Sequence, residues 1–270
     1  MRLGKRCGPA AARNAAARHA RGHILTFLDA DVLVHADALD RLSRKFCENA
    51  KLDAVMGSYD RQPSANGLVS RFRNLLHSFV HHRANPKACT FWAGCGAVRK
   101  DRFQELGGFN EDFNRPAIED VEFGLRLHEI GGSIEIDPKI QVTHRKSWTL
   151  GSMVWTDFTS RAIPWARLIS RYPLPYDLNF RVSDRLSAIL TAFTLPAIVF
   201  AIVLGGVAWF LPFLILCAIW LINWPLFRYL GRATNRVEAL LCFPLLLIYF
   251  ATCIAGLVTG IALARYRRDR

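Results

Sequence analysis

The sequence predicts an α/β domain that continues into apolar membrane helices, and three observations carry that prediction. Nearly all the charge lies in residues 1–185, whereas Leu186 to Phe227 and Ala239 to Ala264 contain no charged side chain. Within the charged part, helical and strand-like stretches alternate, as they do where helices cover a sheet. The apolar stretch "ILTFL" (Ile24 to Leu28) stops on two aspartates, Asp29 and Asp31, at the place where open α/β sheets bind ligands.

Pro9 followed by "AAARNAAARHA" reads as a helix with proline in its first turn, closed by Gly22. "ILTFLDADV" lacks alternation, which predicts a strand covered on both faces. Residues 37–49 form an amphipathic helix with Ala38, Leu39, Leu42 and Phe46 on one side, and "LDAVMG" is the next strand. Residues 66–83 are helical and basic, and His77, His81 and His82 lie among the arginines without a carboxylate or cysteine to complete a metal set. That helix is expected to face solvent or lipid. "ACTFWAGCGAVRKDRF" gives a strand, a glycine turn at Gly94 and Gly96, and a helix start. "IEDVEFGLRLHEIGG" is an amphipathic helix capped by Gly131 and Gly132, and "SIEIDPKIQVTH" supplies two short strands.

From Ser147 to Arg185 the tryptophans and tyrosines (Trp148, Trp155, Trp165, Tyr172, Tyr176) interleave with arginines, as in helices lying on headgroups. The uncharged run of 42 residues that follows would reach roughly 63 Å as a helix, twice a ~30 Å hydrocarbon core. It should therefore cross twice and reverse at Gly205 and Gly206. The second run fits one crossing, and Gly256 and Gly260 could admit a close neighbouring helix. Arginines before Leu186 and in "RYLGRATNR" place both flanks of the first run on the cytoplasmic side, yet three crossings would put the basic tail "RYRRDR" outside. The expected division is 1–146 for the partial α/β domain, 147–185 interfacial, 186–264 membrane (about 187–207, 208–227 and 239–264), and 265–270 a basic tail. The chain is expected to be a multi-pass protein of an inner or plasma membrane.

The net charge of +13 comes without an arginine-rich recognition helix or an aromatic RNA-binding motif, so nucleic acid is not the expected partner. Anionic lipid and a diphosphate ligand account for it better. Seven cysteines without a C-x-x-C pair read as reduced thiols.

Asp29 and Asp31, two apart on extended chain, point the same way, so their hard oxygens can share a divalent cation or divide a metal and a ribose. An acid pair, Glu119 and Asp120, opens a later helix, whose dipole should keep Asp120 ionised as a base must be. Gly94 and Gly96 let the backbone approach a ligand, and His144 ends a strand. A phosphatase of the haloacid-dehalogenase type uses the same acid spacing but wants Thr or Val where Leu33 stands.

In this order, the "ARN" helix, the D-x-D strand, the glycine turn, "LGGFNEDF" with "IEDVEFGLRLHEIGG", and a strand ending in histidine resemble family 2 glycosyltransferases of the GT-A fold over residues 8 to about 150. The resemblance implies a three-layer nucleotide-diphospho-sugar transferase domain and an inverting transfer from a nucleotide-sugar donor to a membrane-associated acceptor such as a lipid. It implies Asp29 near the ribose or donor sugar, and Asp31 with His144 on a divalent cation, Mn or Mg. It also implies Asp120 as general base beside Glu119, Gly94 and Gly96 at the donor sugar, and Arg13 reaching the nucleotide. No Q-x-x-R-W motif precedes the membrane runs, which argues against a processive polymer synthase.

The family's first strands and helices, which bind the base, would precede the "ARN" helix, and the chain starts at that helix. An N-terminally truncated domain that binds nucleotide sugar poorly is therefore expected. The alternative is an inactive membrane-bound remnant acting as a binding protein.

Overall fold

The computed structural model describes residues 7–172 and 178–268. Tyr176 and the last two residues of the basic tail lie outside them. Six strands form one mixed sheet: β1 (Ile24–Leu28), β2 (Val32–Val34), β3 (Ala54–Tyr59), β4 (Lys87–Ala88), β5 (Cys95–Arg99) and β6 (Ile134–His144). The order is β1-β5-β3-β6-β2, with β4 on the outer side of β6; only β3 and β6 run parallel. The helices of this part are α1 (Gly8–His19), α2 (Ala38–Glu48), α3 (Leu68–His82), α4 (Lys100–Glu105) and α5 (Glu119–Glu129).

Helices cover both faces. On one, Phe27, Phe91, Phe103, Phe109 and Phe123 form a dense aromatic core with α1, α4 and α5, ring centroids 5.1 to 6.4 Å apart. Edge and tilted geometry suits the ring quadrupoles. On the other face, Leu42 and Phe46 of α2 meet Val55, Cys95, Ile140 and Val142.

Four expectations change. Among the described residues β1 is an edge strand paired only with β5, and Leu25 and Phe27 are buried while Thr26 and Leu28 face outward. The apolar run misled because Leu28, at 39% exposed, is as apolar as its buried neighbours. The glycine turn precedes its strand, and Gly96 lies inside β5 opposite Phe27 and Met56. "IEIDPKIQVTH" is one long strand whose register shifts between Ile136 and Gln141, a bulge that accommodates Pro138. The basic helix α3 is neither solvated nor lipid-facing. Phe72, Arg73, Asn74, Leu75 and His81 are all buried, because a second layer of helices lies on its far side.

That layer begins with α6 (Leu150–Thr156), capped by Thr149 and Ser152, then a π-helical turn at Asp157–Ala162 and α7 (Ile163–Ile169). It continues with α8 (Val182–Leu204), α9 (Phe210–Ile222), α10 (Trp224–Ala233) and α11 (Arg236–Arg268). α8 and α11 are long and apolar enough to cross a membrane, by length and composition. Gly205 and Gly206, at φ 66° and 54°, reverse the chain between α8 and α9, a backbone that favours glycine. The expected helix over 208–227 breaks at Asn223, where the axis bends by 60° into α10. Pro225 in the first turn of α10 favours a fresh helix start there.

Candidate functional site

Asp29 and Asp31 bridge two ladders across the end of the sheet. Asp29 extends the β1 and β5 pairing, its N–H donating to the Gly94 carbonyl at 3.2 Å. The Asp31 carbonyl accepts from the Arg145 N–H at 2.9 Å, beside the pairing of Val32 with His144. Strand register thus brings Asp31 to His144, with Nε2 and Oδ2 3.6 Å apart.

The imidazole of His144 is held from behind. Asn74 on α3 accepts through Oδ1 from His144 Nδ1–H at 2.7 Å and from Trp148 Nε1–H at 3.2 Å, and its Nδ2 donates to the Lys146 carbonyl. Trp148 is a donor only, so the amide orientation follows, and with it the tautomer that leaves the Nε2 lone pair facing Asp31. Tyr59 stacks on the ring at 4.4 Å and 14°. Burial lowers the His144 pKa and outweighs Asp31, so the ring stays neutral, the state that ligates a metal. Asn74 is the site residue that sequence reasoning missed. An asparagine among arginines and histidines of a basic helix looks like any surface polar group.

Arg13 organises the other half. Its guanidinium donates to Asp29 Oδ1 and to Glu119 Oε1, both at 2.7 Å, so it clamps the two acidic segments together. The neighbouring Asn14 exchanges hydrogen bonds with both backbone groups of Phe109 at 2.8 and 2.9 Å. "ARN" and "GGFNEDF...ED" are therefore one interlocked unit, with Arg13 on the acids and Asn14 on the loop that precedes them.

Glu119 is also held by the Ala117 N–H at 3.0 Å. The next residue, Asp120, accepts through Oδ2 from the Ala93 N–H at 2.9 Å. The Asp29 backbone and the Asp120 carboxylate thus hold adjacent residues, Gly94 and Ala93, of one short segment. Gly124 permits this approach. A Cβ there would meet the Phe91 nitrogen at 2.1 Å, so α5 rests directly on the 90–91 backbone.

Burial, then the charge of Glu119, pushes the Asp120 carboxyl up to about 7, against the lowering effects of the Ala93 N–H and Arg13. The expectation that the helix dipole keeps Asp120 ionised is corrected: desolvation exceeds it. Gly94 and Gly96 also leave room for neighbouring groups of the protein. A Cβ on Gly94 would strike the Trp92 indole at 2.4 Å, and one on Gly96 would strike the Trp92 carbonyl oxygen at 2.5 Å and the Phe91 ring at 2.6 Å. On the side where a Cβ would stand, both glycines face the protein's own residues Phe91 and Trp92.

Whether these donors suit a divalent cation is answered by their chemistry. A carboxylate oxygen and a free imidazole nitrogen 3.6 Å apart can sit on one ion. Among the described residues, no group of three or more His, Cys, Asp or Glu side chains converges as a complete protein cage. That fits a Mg-type or Mn-type ion, which commonly takes one or two protein ligands plus phosphate and water oxygens.

This layered mixed sheet is the GT-A fold. Mannosyltransferase PcManGT from Pyrobaculum calidifontis, in complex with GDP-Man and Mn2+, shares it with a TM-score of 0.54 and 19% identity, over 90% of this chain and 68% of that one. Residues 1–107 match the family model described as Glycosyl transferase family 2. That part of the chain is similar to glycosyltransferases of this family. Among curated relatives, Polypeptide N-acetylgalactosaminyltransferase 4 of Mus musculus is 30% identical over 166 residues, covering 53% of this chain and 28% of the relative. Polypeptide N-acetylgalactosaminyltransferase 4 of Caenorhabditis elegans is 27% identical over 164 residues, with the same coverage. The chain thus spans 28% of the length of these relatives.

Proposed function

We propose that this domain transfers a sugar from a nucleotide-sugar donor to an acceptor at a membrane, with inversion at the anomeric carbon and with a divalent cation. The observation that carries the reading is the gathering of acids at one end of the sheet: Arg13 joins Asp29 to Glu119, Asp120 holds the Ala93 N–H, and Asp31 meets His144 at 3.6 Å.

A single in-line displacement needs the acceptor oxygen deprotonated on one face and the departing diphosphate neutralised on the other. Asp120, with a pKa of about 7, takes the acceptor proton. Asp31 and His144 Nε2 would hold the cation, which neutralises the leaving diphosphate. Asp29 lies where ribose or donor sugar would pass, and the 93–96 backbone borders the sugar. Arg13 and Glu119 fix the relative position of the acids rather than touching the reacting atoms. The neighbour's complex with GDP-Man and Mn2+ supports a nucleotide-sugar donor and a metal. The domain lies on the cytoplasmic side, consistent with the basic flanks of the apolar helices. A lipid acceptor accords with the apolar helices joined directly to the domain.

The test is release of nucleoside diphosphate by the purified chain in lipid nanodiscs, with Mn2+ and a panel including GDP-mannose and UDP-N-acetylgalactosamine. Release that is abolished by chelation, by Asp31→Asn and by Asp120→Asn is expected. Release unaffected by both substitutions would refute the assignment.

A further inference from the structure

We propose that α11 does not cross the bilayer but lies along the membrane surface beneath the domain, so that both of its ends are on the domain side. This rests on the reading of the apolar helices as a membrane anchor, and it changes which of them span.

α8 and α9 form a hairpin whose open end meets the domain. Asn223, at the end of α9, donates to Ser187 Oγ near the start of α8 at 2.8 Å. Arg83, following α3, pairs with Asp184 at the start of α8, and Tyr229 of α10 bonds Ser78 of α3 at 2.6 Å. The turn at Gly205 and Gly206 is therefore the far end, and Val203 and Val207 there are 75% and 82% exposed.

α11 behaves differently along its whole length. It starts at α3, where Glu238 pairs with Arg71, and its middle, Cys242 to Phe250, packs on α3, α10 and Trp148. Its later half packs on the π-helical turn and α7. A Cβ on Gly256 would meet the Ala162 Cβ at 2.4 Å, and one on Gly260 would meet the Ala166 Cβ at 2.5 Å. The same offset one turn later means that the two helices run side by side in the same direction. α7 is in turn fixed to the domain, because Leu168 packs with Ile118 and Leu125 around the start of α5. From Glu238 to Gly260, α11 therefore stays against the domain and the helices fixed to it.

The companion helix decides the depth. Residues 150–169 carry Asp157, which pairs with Arg73 of α3 and with Arg161, and also an exposed Arg167. Such a segment cannot lie in hydrocarbon, and α11 is held against it too closely to lie deeper. The outward face of α11 is nevertheless apolar, with Val237, Leu240, Leu241 and Val258 more than half exposed. A long helix, buried against protein on one side and apolar on the other, fits the boundary between headgroups and acyl chains. Its 33 residues, roughly 50 Å, also exceed a ~30 Å core without needing to match it. The arrangement removes the conflict between the basic flanks, since Arg265 then lies on the same side as Arg228 and Arg232.

The experiment uses the full chain with the exposed Cys7 and Cys47 changed to serine, in sealed vesicles of known orientation, probed with a membrane-impermeant maleimide. Single cysteines replace Val207, Arg232 and Arg265 in turn. Arg232→Cys and Arg265→Cys are expected to label from the same side, without detergent. Arg265→Cys labelling from the side opposite Arg232→Cys, or only after the bilayer is dissolved, would overturn the proposal. Val207→Cys reports separately on the α8–α9 hairpin: labelling on the Arg232 side would instead remove the membrane reading on which the proposal rests.

Discussion

Asp120→Asn tests the physical state of the candidate base directly. The carboxyl moves from 3.8 to about 7 on folding, so the folded chain holds this proton more tightly than the unfolded one. Its contribution to stability is therefore fully present below about pH 4 and is lost as pH rises through about 7. At roughly 1.4 kcal/mol per unit, the shift corresponds to about 4 kcal/mol at most, and sharing of charge with Glu119 reduces this to about 1–3 kcal/mol. Asparagine keeps an oxygen for the Ala93 N–H and carries no charge. Asp120→Asn should thus stabilise the metal-free protein by about 1–3 kcal/mol at pH 8 and by almost nothing at pH 4. Urea unfolding in detergent at both pH values measures the difference. The same substitution should lower kcat by about 10²–10⁴, and wild-type kcat/KM should rise about tenfold per pH unit up to about 7. Equal unfolding free energies of the two proteins at pH 8 would refute the burial argument, whatever the activity shows.

Three other outcomes are expected. Asn74→Leu should weaken Mn2+ binding about 10–100-fold, measured by the paramagnetic signal of free Mn2+ in the presence of nucleoside diphosphate, because His144 loses the acceptor that fixes its tautomer. Gly124→Val should push α5 off the 90–91 backbone and lower the melting temperature, at a cost of about 1–3 kcal/mol or more, with activity falling further than stability. Asp157→Leu alone should destabilise by about 3–5 kcal/mol by leaving Arg73 buried without its carboxylate, whereas combining it with Arg73→Met should recover most of that loss.

The sheet domain was legible in the sequence because its signals are local. The apolar face of α2, the acids closing "ILTFL" and the uncharged length of the C-terminal runs can each be read within a few turns of chain. The motif stretches were legible as well, but not the reason for their association. That Arg13 grips Glu119 as well as Asp29, while Asn14 grips the Phe109 backbone, appears only when residues 95 to 106 positions apart meet.

The remainder was decided by tertiary structure, because a residue's pattern says which face it shares and not what that face meets. α3 is basic and reads as a surface helix, yet Arg73, Asn74 and His81 are buried between the sheet and the C-terminal layer of helices. Asp120 stands in the first turn of a helix, where the dipole favours its charge, but the burial that outweighs the dipole comes from distant segments. The third apolar helix carries the composition of a spanning segment, and only its contacts with Ala162 and Ala166 tie it to a polar helix. Sequence determines how apolar each segment is, and packing determines whether lipid or protein covers it.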